Sequence, residues 1–493
     1  MSSLTKKIFA SSFFLLLSRF VQRSLGLIST LILARVLVPD DFAVVAISAI
    51  FLHLFLIFSN TGSEYYICQK TEVSESDLNT AWTLDLIMRL ALFAVFFVSA
   101  PFIADFYDNE ALTDVLWVSS TVLIFQGLTS PGILMLKRRL EYRNIFYLEV
   151  VSKVTSFSVV MTVVYFNPSY WAIIFGDVVA AVIGCIGSYI ITRQAPRVSL
   201  ENIKSQWDFS KWVLSKGFIG YTRANIDTLI ISKMFNSTEL GQYHVIKGIT
   251  ILPATDIVNP AVQPLLAAFS RFKDKKDELA QKFSLSLFVV LILISPIAFF
   301  VYLYPVQIIK VLIGDQWLDA SGVLSNLSLM LFAMTIGNVV MNCCIALGRV
   351  KALFWYDVFS LVFVTVVLIA FSAPLLETFA FVRSILEVVI VAGLIAYLAK
   401  LIKIDFKNLF VMSVLAIIIP LFVARYFSGI VLASMELNVF FSLVILTMVF
   451  FSAYIVCLVI PLFSLRNRFP EFNVLCGIIQ KTLYHLLLKM KKE

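Results

Sequence analysis

The chain has 493 residues, 60% of them hydrophobic and 14% charged, whereas a soluble domain averages about 45–50% apolar and about 25% charged; this excludes an ordinary soluble enzyme and makes the bilayer the solvent. The net charge of +8 does not point to nucleic acid, because Lys and Arg sit in short segments between apolar runs, as topology signals do. Cys68, Cys185, Cys343, Cys344, Cys457 and Cys476 show no CxxC spacing, so neither disulfides nor a metal site is expected, and no cofactor is implied.

A bilayer core of about 30 Å needs about 20 apolar residues per helix. Met1 to Lys7 followed by an apolar run resembles a signal peptide, but the run continues through Arg19 and Arg23 to Val36 without an A-x-A site, so it is expected to stay as the first span. The predicted spans then run Ile8–Val36, Phe42–Asn60, Thr83–Ile103, Val115–Leu136, Ile145–Phe166, Tyr170–Ile191 and Trp212–Phe235 in the first half. The second half gives Gln242–Phe269, Phe283–Leu303, Ala320–Leu347, Ala352–Phe371, Phe379–Leu398, Leu409–Tyr426 and Val439–Leu462. The expected fold is therefore all-α, a polytopic membrane protein of about 14 transmembrane helices. The runs lack the alternation of barrel strands.

Basic loops test this count independently. With the N-terminus inside, Lys137, Arg138, Arg139 and Arg143 face the cytoplasm, as do Arg271, Lys273, Lys275 and Lys276, and Lys400, Lys403 and Lys407. External links such as Val38-Pro39-Asp40-Asp41 are short and acidic or neutral. Both termini are expected in the cytoplasm. The basic tail beyond Arg466 carries Leu475, Ile478, Ile479, Leu483, Leu486 and Leu487 at a spacing that suits an amphipathic helix on the anionic inner leaflet.

The sequence also matches itself. Thr30 to Arg35 followed by Val38-Pro39-Asp40-Asp41-Phe42 aligns with Thr228 to Lys233 followed by Asn236-Ser237-Thr238-Glu239-Leu240. The first span thus corresponds to the seventh, the pattern of transporters built from repeats. The predicted organisation is a pseudo-symmetric pair of lobes of about six helices each, residues 1–200 and 201–400, then an additional helix pair at 401–465 and a basic tail at 466–493.

Three elements carry a family resemblance: Leu33 to Phe42 at the first hairpin, Leu136-Lys137-Arg138-Arg139-Leu140-Glu141-Tyr142-Arg143 after the fourth span, and Leu252-Pro253 with Pro264 to Arg271 and the charged loop to Glu278. On these the chain resembles the Wzx-type flippases, in the polysaccharide-transporter branch of the MOP (multidrug/oligosaccharidyl-lipid/polysaccharide) superfamily. Ala43 stands where that pattern has Gly. The resemblance implies a V-shaped bundle in a bacterial cytoplasmic (inner) membrane. Its central cavity would carry an undecaprenyl-diphosphate-linked oligosaccharide between leaflets by alternating access, for O-antigen, capsule or exopolysaccharide. The partners so implied are that lipid, the membrane lipids, and glycan polymerase and chain-length machinery.

Charges within the spans suggest the site, since one near the bilayer centre costs at least about 2.5–3.5 kcal/mol and needs a partner or water. Asp85/Arg89, Glu149/Lys153, Arg223/Asp227 and Arg383/Glu387 are at helical spacing and suit self-neutralised pairs. Arg19 and Arg23 have no carboxylate in their span, and Lys216, Arg223 and Asp227 form a stripe on the seventh. Arg19, Arg23 and Arg223 are therefore the expected diphosphate contacts, with Lys216 and Arg89 secondary; the alternative is that Arg19 and Arg23 bind carboxylates of other helices. Asp177, Asp256 and Asp357 lack a partner in their own spans. Asp227 and Asp256 are candidates for proton or sodium coupling, or for plain charge neutralisation. Gln22, Tyr221, Asn225, Asn259, Gln263, Asn338 and Asn342 are available for a glycan. Against transport of a lipid-linked glycan stand a cation-coupled drug antiporter of the same superfamily, disfavoured by the surplus of Arg, and a glycan polymerase or ligase, disfavoured by short outer links. A pure scaffold is disfavoured by the intramembrane charge.

Overall fold

The computed structural model describes residues 3–477 and residue 480, apart from 60, 70–71, 140, 372–374 and 435–437. Among them every regular element is a helix, and the protein is an all-α, multi-pass membrane protein. In chain order the helices are α1 (Ser3–Val36), α2 (Pro39–Phe58), α3 (Ser63–Gln69), α4 (Glu75–Phe106), α5 (Ala111–Gly127), α6 (Gly132–Arg138), α7 (Tyr142–Phe166), α8 (Trp171–Thr192), α9 (Ile203–Met234) and α10 (Ser237–Leu252). They continue as α11 (Asn259–Arg271), α12 (Lys276–Leu303), α13 (Pro305–Leu312), α14 (Ser321–Ala346), α15 (Val350–Phe371), α16 (Leu376–Ala399), α17 (Phe406–Ser413), α18 (Ile419–Ser434) and α19 (Val439–Ser464).

By length and composition ten described helices suffice to cross a bilayer, or eleven if α5 and α6 form one span. The remaining expected spans are α1, α9 and the α10–α11 run. They are long enough, at 34 and 32 residues for α1 and α9, and differ in carrying intramembrane charge and amide groups.

Three predicted spans are not continuous, one of them Leu409–Tyr426, which a π-helical turn at Val414–Ile418 interrupts. Val115–Leu136 is a pair of helices bent by 65° between Gly127 and Gly132, where Pro131 withholds its N–H and biases the preceding residue out of the helical region. Gln242–Phe269 is interrupted by a π-helical turn, Pro253–Val258, entered at a proline and followed by Pro260, so the i to i−4 ladder cannot close there.

The internal repeat is visible in its hydrogen bonds. At the start of α2, Asp41 accepts from the Val38 N–H at 3.3 Å; at the start of α10, Glu239 accepts from the Asn236 N–H at 3.2 Å while Asn236 accepts back from the Glu239 N–H at 2.8 Å. Both helices thus open on an acidic third residue that satisfies an orphan donor. Asp40 accepts from Ser237 and Thr238 at 2.6 and 2.8 Å, pinning the two hairpins together. At Gly241, the repeat equivalent of Ala43, a Cβ would overlap the Pro39 carbonyl, so close approach demands glycine there; Ala43 is buried.

Contacts divide the chain into Met1–Val245 with Asp357–Ile369, and Ile246–Tyr356 with Ala370–Glu493. In the first unit α4 packs on α5, α7 on α8 and α1, α5 on α8, and α2 on α9. One end of this unit is capped by α3 and α6, whose Ile67, Leu134 and Met135 pack with Leu78 and Ala81 of α4. In the second unit α14 contacts α11, α12 and α16 around Phe269, Phe283, Leu287, Ile294, Leu331 and Leu394. The start of the C-terminal tail docks there, with Phe472 stacked on Phe288 at 5.4 Å and fully buried; Ile478, Ile479, Leu483, Leu486 and Leu487 lie outside the described residues.

Gly241→Ala is expected to cost about 1–3 kcal/mol by overpacking the hairpin contact. Gly220→Ala, where a Cβ meets nothing within 4 Å, is expected to be neutral or stabilising by up to about 1 kcal/mol. Thermal unfolding of both variants in detergent checks this, and equal shifts would contradict the contact.

Candidate functional site

The packing of α1 on α7 forms an open cleft of about 340 Å³ in the first unit. Its polar wall is Ser18, Arg19 and Gln22 of α1, Glu64 of α3, Lys137 of α6 and Glu149 of α7, and its apolar rim includes Phe14, Ile145 and Phe146. Phe14 and Phe146 meet with ring centroids 5.6 Å apart.

Each polar group is positioned by local geometry. Ser18 and Gln22 are one turn apart and share a helix face, so both reach the same carboxylate: Glu149 accepts from the Ser18 hydroxyl and from the Gln22 amide at 3.0 Å, and Gln22 also donates to Ser18 at 2.9 Å. Glu64 and Lys137 stand on the short helices α3 and α6, held by the small core above and by Arg138, whose guanidinium donates to the Ile67 carbonyl. Lys137 Nζ lies 2.6 Å from Glu64 Oε2. Arg19 is exposed to the cleft and, among the described residues, has no ion pair or hydrogen bond. The wall thus holds two cations and two carboxylates, with only one cation matched directly to a carboxylate.

Of the other predicted contacts, Arg23 is exposed on α1 and does not line this cleft. Arg223 is not an open cation, because it donates to Asp357 of α15 at 2.8 Å with both side chains largely covered. Arg89 donates to Gln126 of α5 at 2.7 Å and packs against Gly127, a structural position between α4 and α5. The side chain of Lys216 lies outside the described residues, as do those of Asp256, Asn259 and Gln263. Asp227 is fully buried and accepts from the Tyr243 hydroxyl at 2.7 Å and the Thr228 N–H at 2.8 Å. Among the glycan candidates whose side chains are described, only Gln22 lines the cleft.

The pairs expected from helical spacing are partly redistributed. Arg383 and Glu387 close as expected, 2.9 Å apart and only 4% and 7% exposed. Asp85 keeps Arg89 as a charged neighbour but takes its hydrogen bonds from Thr61 and from Ser63 at 3.0 Å. Glu149 turns to α1, and Lys153 and His53 become the ionisable neighbours of Asp177. Sequence reading missed Ser18, Glu64 and Glu149 as site residues and took Lys137 for a topology signal alone. The spacing of Ser18 and Gln22 was a usable sign; nothing local marked Glu64.

The sequence profile described as polysaccharide biosynthesis protein matches residues 32–322. The chain is 23% identical over 341 residues to the lipopolysaccharide biosynthesis protein WzxC of Escherichia coli (strain K12), covering 68% of this chain and 69% of that protein. It is 25% identical over 345 residues to the teichuronic acid biosynthesis protein TuaB of Bacillus subtilis (strain 168), covering 68% and 71%. With the succinoglycan biosynthesis transport protein ExoT of Rhizobium meliloti (strain 1021) it shares 22% over 343 residues, 69% of each. The fold is similar to that of the lipid II flippase MurJ in an inward closed conformation, with a TM-score of 0.75 at 15% identity over 91% of this chain and 98% of that one. It is also similar to an inward-facing multidrug resistance MATE family transporter of the MOP superfamily, with a TM-score of 0.60 at 11% identity over 77% and 94%.

Glu387→Leu is expected to destabilise the protein by about 3–5 kcal/mol, because it strands a buried guanidinium. Adding Arg383→Met should recover most of that loss, as read by membrane yield and thermal unfolding. Failure of the double variant to recover would mean the pair has a role other than mutual neutralisation.

Proposed function

The chain belongs to the polysaccharide biosynthesis protein family, and on that premise we propose that it is a flippase. Its substrate in this reading is an undecaprenyl-diphosphate-linked oligosaccharide, moved from the inner to the outer leaflet of a bacterial cytoplasmic membrane. One observation carries the reading: Arg19 stands in a cleft within the first unit and, among the described residues, forms no ion pair or hydrogen bond.

Depth supports it. Arg19 lies 17 positions before Val36, the end of α1 at the expected outer face, which is about 25 Å along the helix at 1.5 Å per residue. In a hydrocarbon core about 30 Å thick that puts its guanidinium close to the inner boundary, where the diphosphate of an inner-leaflet lipid would reside. Lys137, in the same cleft, belongs to the basic segment that positive-inside bias assigns to the cytoplasm. A guanidinium offers a diphosphate paired N–H donors, and an ammonium adds a point charge. Ser18, Gln22 and the apolar rim then offer hydroxyl, amide and aromatic surface for what is attached to it.

Arg19 is the primary contact in this reading, with Arg23 secondary and the Arg223–Asp357 pair assigned to positioning. Alternating access follows from the internal repeat. The relatives named for lipopolysaccharide, teichuronic acid and succinoglycan differ in glycan, which supports recognition of a shared lipid diphosphate over recognition of particular sugars. The coupling ion, proton or sodium, is assigned to Asp227 or Asp256, and a glycan polymerase is the expected downstream partner.

Arg19→Ala should leave the protein in the membrane at wild-type level and reduce export of surface glycan at least tenfold, with Arg19→Lys retaining an intermediate level. Immunoblotting of membranes together with surface-glycan quantification measures both. Undiminished export by Arg19→Ala at matched protein would overturn the reading.

A further inference from the structure

Resting on that reading, a second feature of the cleft concerns how a diphosphate would be admitted and released. Lys137 is occupied: its ammonium donates to Glu64 at 2.6 Å. The two carboxylates of the wall differ in what holds them. Glu149 is tied to α1 by a hydroxyl and an amide, donors indifferent to the charge of anything bound nearby. Glu64 is held through Lys137, so its oxygen occupies the place beside the ammonium that a phosphate oxygen would take. Both partners remain open to solvent, with side chains 27% and 43% exposed, and a pair so exposed is held weakly. Glu64 stands on a helix of only seven residues, so its withdrawal disturbs one short element.

With Glu64 and Glu149 in place, the formal charges of the wall cancel, so a diphosphate gains little from its net charge and depends on direct contact with Arg19 and Lys137. We propose that Glu64 is a built-in competing anion: it neutralises Lys137 in the empty cleft, yields that ammonium to a diphosphate oxygen when the lipid head enters, and takes it back when the head departs. The exchange of one anion for another keeps Lys137 compensated at every stage, which lowers the cost of each step. It also sets a ceiling on affinity, and a carrier needs one, since a site that binds too tightly does not release.

The test uses the full chain purified in detergent, with farnesyl diphosphate as the probe and calorimetric titration as the readout. Glu64→Gln, and independently Glu64→Ser, should bind about two- to fivefold more tightly than wild type, the range expected for loss of an exposed ion-pair competitor. Lys137→Met should bind more weakly, and adding Glu64→Gln to it should bring no gain, because the competition would have lost its object. Arg19→Ala should weaken binding while Glu64→Gln still tightens it. If wild type binds and Arg19→Ala is impaired, yet neither Glu64 variant gains affinity, the competing-anion proposal is overturned and the functional reading stands. If monodisperse wild-type protein shows no binding of farnesyl diphosphate, both are overturned.

Discussion

The structure depends on the rule that an ionised group at membrane depth must find a counter-charge, a set of hydrogen bonds or water. The chain meets that demand in graded ways. Arg383 and Glu387 solve it within one helix and are almost completely enclosed. Arg223 reaches across to Asp357 on another helix. Asp85 relies on hydroxyl donors from Thr61 and Ser63, and Asp227 on Tyr243 and a backbone N–H. Arg19 meets the demand only through the open cleft, which is why the functional argument converges on it.

The same rule applied to backbone groups shapes the repeat. Each of the two related hairpins begins a helix whose first N–H groups have no intrahelical acceptor, and each supplies a carboxylate at the third position, Asp41 in one and Glu239 in the other. The halves then diverge where they touch. Asp40 serves as an acceptor for Ser237 and Thr238, and Gly241 gives up its side chain so that the Pro39 carbonyl can approach. A duplicated element thus acquired asymmetry at the point where its copies became neighbours.

The spans were legible in the sequence because bilayer thickness imposes a length, a signal that is local in the chain. The bend after Gly127 and the π turn at Pro253 escaped that reading, since apolar run length is blind to a missing N–H inside the run. Charge pairing was legible where partners lie on one helix and poorly so elsewhere. Four-residue spacing anticipated Arg383 with Glu387, but it also suggested Glu149 with Lys153, and there the packing of α1 on α7 supplied closer donors. Glu64 and Lys137 are 73 positions apart, so only the fold of α3 against α6 brings them together, and no periodicity could have announced it.

Lys137 shows how one side chain answers two demands of the membrane. As part of a basic cluster on a short link, it would contribute, by the positive-inside rule, to the bias that retains that link in the cytoplasm. In the proposed orientation that bias sets which leaflet the cleft faces, so the residue that helps orient the protein would also mark the side from which an anionic lipid head is drawn. A topogenic charge must be ionised to act, and so must a phosphate ligand; the requirements coincide. They conflict only in the empty cleft, where an exposed cation invites adventitious anions, and there Glu64 stands within contact distance. In the proposed reading, the acidic residue beside Lys137 then follows from placing a binding cation on the side of the membrane that topology would make basic.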